Sequence, residues 1–188
     1  MKRIPLSRLF PLGIALALAL PARGQAASAP PAPATWVMSI HVGAGNLKMD
    51  GDSLGRDSGT MTQLRLGHVV APGVVAGFQA RGWGGTKSGL SRQVQVITVN
   101  ATGYLPGRGF YGRAGAGVCA VRQEFLAPGA TASVWSHDGG FAATAAAGFD
   151  LRIKRMFGVG ADVEYARVVA AHLGGNLVTG ALGLNIYW

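Results

Sequence analysis

Two nested alternations constrain this chain more than any other feature. Within eight segments, apolar residues alternate with polar or very small ones, and between the segments long connections alternate with short ones. The inner alternation is the period of a β-strand, whose successive side chains point to opposite faces. The segments are Trp36 to Gly45, Thr60 to Val70, Val74 to Trp83, Gln93 to Leu105, Phe110 to Val121, Gly140 to Arg152, a run starting at Phe157, and Asn176 to Trp188. Polar or glycine-rich stretches at 46–59, 84–92, 122–139 and 168–175 follow every odd segment, and short turns at 71–73, 106–109 and 153–156 follow the second, fourth and sixth. Consecutive strands joined in this rhythm form an up-and-down barrel with long loops at one rim and tight turns at the other. Greek-key crossovers would not produce it. The pattern predicts an all-β fold, an eight-stranded antiparallel up-and-down transmembrane β-barrel over residues 35–188.

Periodicity gives each strand an apolar and a polar face without saying which face meets solvent. Three observations favour lipid outside. Lys2, Arg3 and Arg8 precede the apolar run Leu12 to Leu20, and small residues follow, which reads as an export leader over residues 1–26, ahead of a Pro/Ala-rich tether at 27–34. Segments of about ten residues suit a tilted membrane crossing. Glycine and alanine are frequent on both faces, as a narrow barrel requires. The fourth segment is less regular, because Gln93 and Gln95 share the apolar parity; a bulge or a strand projecting above the membrane accounts for that.

Composition removes several classes. Of the 17 Lys and Arg residues the leader carries four, Lys2, Arg3, Arg8 and Arg23, leaving 13 against 8 Asp and Glu. That modest excess has no basic run or aromatic platform beside it, so nucleic acid is not an expected partner. Cys119 is alone and can form no internal disulfide.

The terminal GALGLNIYW, the GFYGRAGAGV strand after a short turn and the FGVGADVEYARV strand after a short basic turn resemble the OmpA/OmpX-like family of small outer-membrane β-barrel proteins. The resemblance spans Thr35 to Trp188. It implies a Gram-negative outer membrane, periplasmic termini, four loops outside the cell where an extracellular ligand would bind, and lipid and lipopolysaccharide as surroundings. It also implies that Leu182, Leu184, Ile186 and Trp188, on one face of the last strand, form a C-terminal signal read by the barrel assembly machinery. The family ends on Phe where this chain ends on Trp.

Parity places Arg65, Arg81, Arg113, Asp150, Asp162 and Glu164, with Arg152 in addition, on the inward face. Ionised groups in a narrow lumen must pair, and Arg113 or Arg65 is the expected partner of Glu164. Two readings stand, a gate that exchanges partners and a structural plug; the narrow interior favours the plug. Ser39 and His41 share a face, as a nucleophile and base would, but no orienting acid is evident in the sequence. Ser136-His137-Asp138 are adjacent and cannot converge on one centre, and His68 and His172 lack metal-ligand spacing. Asp50, Asp52, Ser53, Gly55 and Asp57 faintly match an oxygen-rich calcium loop, but Met61 stands where its closing acid belongs. The expectation is a non-enzymatic structural or surface-interaction barrel without metal or cofactor. A lipid A or phospholipid-modifying enzyme and a narrow channel are the alternatives.

Overall fold

The computed structural model describes residues 35–51, 55–107, 109–125 and 134–188, so the expected leader and tether lie outside the described residues. Eight strands follow in order: β1 (Trp36–Met49), β2 (Arg56–Ala71), β3 (Val74–Lys87), β4 (Leu90–Tyr104), β5 (Phe110–Phe125), β6 (Val134–Arg152), β7 (Phe157–Ala170) and β8 (Gly174–Tyr187). Each pairs antiparallel with its neighbour in sequence, and β8 closes onto β1. Closure leaves no sheet edge with unpaired backbone groups, the condition a β-structure must meet in lipid.

Following the register from Phe110 on β5 through Phe149, Ala161, Leu182, Val42, Thr62, Gly82 and Gln95 returns to β5 at Ala120, ten residues further along the strand. A stagger of this size tilts the strands by roughly 40° and leaves an interior that side chains fill. Glycine provides the room where a large side chain crosses the lumen. A Cβ on Gly148 would stand 2.4 Å from the Tyr111 ring, and one on Gly183 would stand 2.3 Å from the His41 ring.

The outward face carries Ile40, Val42, Leu64, Phe78, Val99, Leu182 and Leu184, each exposed by roughly half or more. Interior positions at the same level are polar. This is the inverted arrangement of a membrane barrel. Aromatic side chains border the lower rim, with Trp36 edge-on to His68 and Phe110 tilted against Phe149.

The strands run further toward the long-connection rim than the sequence segments did. Residues 46–49, 56–59, 84–87, 90–92, 122–125, 134–139, 168–170 and 174–175 all belong to strands. Between the strands there remain residues 50–55, the two-residue turn Ser88-Gly89, 126–133 and 171–173, of which 52–54 and 126–133 lie outside the described residues. Ser88 and Gly89 both have positive φ, 52° and 78°, as a type I′ hairpin turn demands. The strands persist because their two faces exchange chemistry. Above the apolar belt, Lys48, Thr60, Gln93 and Gln95 face outward while Leu47, Met61, Val94 and Val96 are buried inside. Gln93 and Gln95 thus sit on a strand projecting above the membrane, and the pairing of β4 with both neighbours runs through them unbroken. The one register shift described lies at Val69/Ala71, beside the first short turn.

Candidate functional site

Inward parity gathers polar side chains from all eight strands into the lower part of the lumen. Arg81, Arg113, Asp150, Asp162 and Glu164 are each at most 7% exposed, and Arg65 is 9% exposed. They form three levels. Nearest the rim that carries the chain ends and the short turns, Asp150 accepts from the Tyr104 hydroxyl at 2.7 Å and from Asn185 Nδ2 at 2.9 Å. Above it, Arg65 reaches His41 Nε2, the Tyr111 hydroxyl at 3.2 Å and Asp162 at 3.7 Å. Tyr111 in turn donates to Asp162 at 3.1 Å, and the Arg65 and Arg113 guanidinium carbons both lie 5.7 Å from its ring centre.

Glu164 anchors the third level. It accepts from Gln79 Nε2 at 2.9 and 3.0 Å, pairs with Arg81 at 2.8 Å and accepts from Arg113 Nη2 at 2.6 Å. Arg113 spans two levels, since the same nitrogen lies 2.9 Å from Asp162. Arg113 was one of the two expected partners of Glu164; the other, Arg65, goes to Asp162, and Arg81 takes its place. Sequence parity cannot foresee this, because partners across a barrel are set by the stagger of all eight strands. Arg152 lies lower, its guanidinium 4.6 Å from the Tyr187 ring centre. Three arginines face three carboxylates across these levels, so the network needs no counter-ion and each charge has a hydrogen-bonded partner.

Above Glu164 the lumen turns apolar. Leu47, Leu177, Val121 and Ala166 are fully buried, and Met61, Trp83, Val94, Val96 and Val168 nearly so, in one continuous cluster that includes Cys119. Trp83 lies over glycine: its indole nitrogen donates to the Gly45 carbonyl at 3.3 Å, and a Cβ on Gly59 or Gly85 would stand 2.7 or 2.9 Å from its ring. A last buried pair, Asp57 with Arg92, covers this cap, and Lys87 Nζ lies 3.7 Å from Asp57.

The residues weighed as catalytic or metal-binding take these places in the structure. Ser39 and His41 are both buried in the lumen, and the structure supplies an acid near His41 that the sequence did not reveal, Asp162 at 4.0 Å from Nδ1. The opposite ring nitrogen, which a nucleophile would need, faces Arg65. Asp138 is turned toward the backbone of His172, accepting its N–H at 2.9 Å. Asp50 forms an outer ion pair with Arg167 at 2.6 Å and Asp57 points inward, so these two ends of the calcium-like loop are committed elsewhere, while Asp52 and Ser53 lie outside the described residues. Among the described residues, no three His, Cys, Asp or Glu side chains cluster as metal ligands.

On the outer wall above the belt, Tyr165 donates to Asn176 at 2.6 Å and Arg167 bonds both Asn176 and Asp50. The hydrogen bond from Arg167 holds the exposed Asp50 carboxyl below its ordinary 3.8. Lys48 and Arg56 are register partners on β1 and β2, and Lys48 is also the register partner of Asn176, so cations extend across β7, β8, β1 and β2 at this level. On the last strand, Leu182 and Leu184 face lipid, 68% and 65% exposed, and Trp188 is 48% exposed at the lower rim.

Solved structures share this architecture. Neisserial surface protein A is 12% identical, with 80% of this chain and 97% of that one aligned at a TM-score of 0.60. Ail, the attachment invasion locus protein of Yersinia pestis, is 14% identical over 82% of this chain and 99% of its own, with a TM-score of 0.56. Its complex with the heparin analogue sucrose octasulfate aligns over the same shares at 13% identity and 0.53. No protein-family model matches the chain, and no curated protein matches it. The fold is that of the small eight-stranded outer-membrane barrels.

Proposed function

We propose that this protein is a non-conducting integral barrel of the Gram-negative outer membrane, with a structural or surface-interaction role. One observation carries the reading: the lumen is filled along its length, first by a charge-balanced network and then by an apolar cap. A gate needs partners that can exchange at small cost. Here Glu164 is fully buried with three donors, and breaking such a group out of its network is expensive. The apolar cap adds a dry barrier that charge exchange below it would not open.

The rigid wall carries the barrel well above the apolar belt, so what it offers outside the cell is a firm collar with short connections. Lys48 and Arg56, outward at the level of the lipid head groups, suit lipopolysaccharide phosphates as neighbours. The last strand, with Leu182, Leu184, Ile186 and Trp188 on its lipid side, is the segment proposed to be read by the barrel assembly machinery. Replacing Trp188 by Asp should lower the amount of folded barrel recovered in the outer membrane, and unchanged recovery counts against this role.

Planar-bilayer recordings test the main proposal. The wild-type barrel should give no stepwise current, and reproducible single-channel steps from pure folded protein would overturn it. The enzymatic alternative has its own check: lipid A and phospholipid mass spectra from cells with and without the protein should be identical.

A further inference from the structure

The outer wall bears a groove of about 260 Å³ where β2, β3 and β4 pass the top of the apolar belt. Its floor is the outward row of β3, Gly84 then Gly82, with Met61 and Trp83 of the intervening rows also in its lining; Ala80 follows below it on β3. Register partners build the walls: Thr60 and Gln93 flank Gly84, and Thr62 and Gln95 flank Gly82. Below the groove the outward surface turns apolar, with Leu64 and Ile97 flanking Ala80 and Phe78, 62% exposed, two residues further down β3. No charged side chain lines the groove, and the wall just beneath it is apolar.

The protein's own packing does not ask for these two glycines. Neither has a positive φ, and a Cβ would meet nothing nearer than 3.8 Å at Gly82 or 4.0 Å at Gly84. Glycine inside a strand lowers stability, and it often marks a place where a ligand approaches the backbone. Their inner neighbours differ: Gly59 and Gly85 are spoken for by Trp83.

We propose that this groove seats one lipid of the surrounding leaflet, with its uncharged linkage region between the Thr and Gln walls and an acyl chain running down past Ala80. Gln amides and Thr hydroxyls both donate and accept, so they match the ester or amide carbonyls and hydroxyls of a lipid linkage. The groove crosses the level at which the barrel exterior changes from apolar to polar, where that linkage resides. From Gly84 to Ala80 the strand spans about 13 Å, enough to guide the upper part of a chain. An ionic head group would extend beyond the groove, toward water.

Native mass spectrometry of the mature barrel in octyl tetraethylene glycol micelles, titrated with dimyristoylphosphatidylethanolamine, tests this. The first lipid should bind about tenfold more weakly to Gly82→Leu/Gly84→Leu, whose side chains fill the groove. Gly180→Leu, another outward glycine with open space around it, serves as the control and should bind as wild type does. Heat-modifiable gel mobility verifies that all three are folded. Gln95→Leu, and an ether-linked lipid on the wild type, should each lose about threefold, the scale of one modest hydrogen bond. Equal first-lipid affinity in wild type and the filled variant would overturn the site. Equal affinity for ether and ester lipids would overturn the assignment of the polar walls to the linkage.

Discussion

The lower and upper halves of this barrel are built on one backbone and one alternation, yet they solve opposite problems. Below the level of Glu164, polar side chains fill the lumen and apolar ones face out; above it, Leu47, Val94 and Leu177 fill the lumen and Lys48, Thr60 and Gln93 face out. The lower half is turned inside out relative to a water-soluble barrel; the upper half is an ordinary one on β1, β2 and β4, while Val118, Phe141 and Val169 keep the outward row apolar on β5, β6 and β7. A strand's parity is therefore blind to its solvent. What changes along β4, between Gln95 and Ile97, is only which of two alternating rows is greasy. The cost of a substitution should depend on the half as much as on the residue.

The cap offers the largest effect. Trp83→Ala removes a large buried ring from a bed of glycines that cannot close the space, and such losses run to about 3–5 kcal/mol. Unfolding by urea in detergent micelles should show it as a lower midpoint without loss of the barrel spectrum. A cost below about 1 kcal/mol would mean that the upper half is not a packed core.

Glu164→Ala tests the lower half. It leaves Arg81 and Arg113 without their shared carboxylate, and breaking a buried pair costs roughly 3–5 kcal/mol. A gain in stability in the same titration would mean that the charged row does not face the lumen.

The outward row supplies a smaller and more direct comparison. Val99→Arg puts a charge in the lipid-facing belt and should cost about 2–4 kcal/mol, whereas Gln93→Arg, six residues away on the same face of β4, should cost less than about 0.5. Equal costs would place the membrane boundary elsewhere.

These contrasts also explain what could be read from the sequence. All eight strands and their parity were legible, because an alternation of side chains is a local property. The upward extension was legible only on β4, where a strand projecting above the membrane stood beside a bulge as the alternative. Where Gln93 and Gln95 take over the outward row, a reader looking for one greasy face sees an irregularity instead of the waterline. The turn Ser88-Gly89 was hidden for a related reason, since Gly84 to Arg92 looks like a loop in composition although its residues still alternate across the hairpin. Within the lumen, parity puts Arg81 and Glu164 inside but cannot join them, being 83 positions apart and connected only through the ten-residue stagger. Gln79, Tyr111 and Asn185, which complete the network, carried the same inward parity as the named charges. Neutral side chains carry no requirement for a partner charge, so parity alone does not mark them as members of the network.

The smallest effect belongs to the outer ion pair of Asp50 and Arg167, where the upper half meets water. The hydrogen bond from Arg167 lowers the Asp50 carboxyl below 3.8 in the folded protein. A depressed carboxyl adds stability that is fully present above the unfolded value and is lost as pH falls through the folded one. The difference in unfolding midpoint between wild type and Asp50→Asn should therefore be constant near neutrality and vanish only as pH drops below about 4. It should also shrink in about 1 M salt, because both partners are solvent-exposed and the screening length is then only about 3 Å. Glu164→Ala should hardly respond to that salt, its partners being sealed between the cap and the lower lumen. If salt weakens both variants' effects alike, the lumen is as open to ions as the outer wall, and the contrast between a sealed interior and an exposed collar fails.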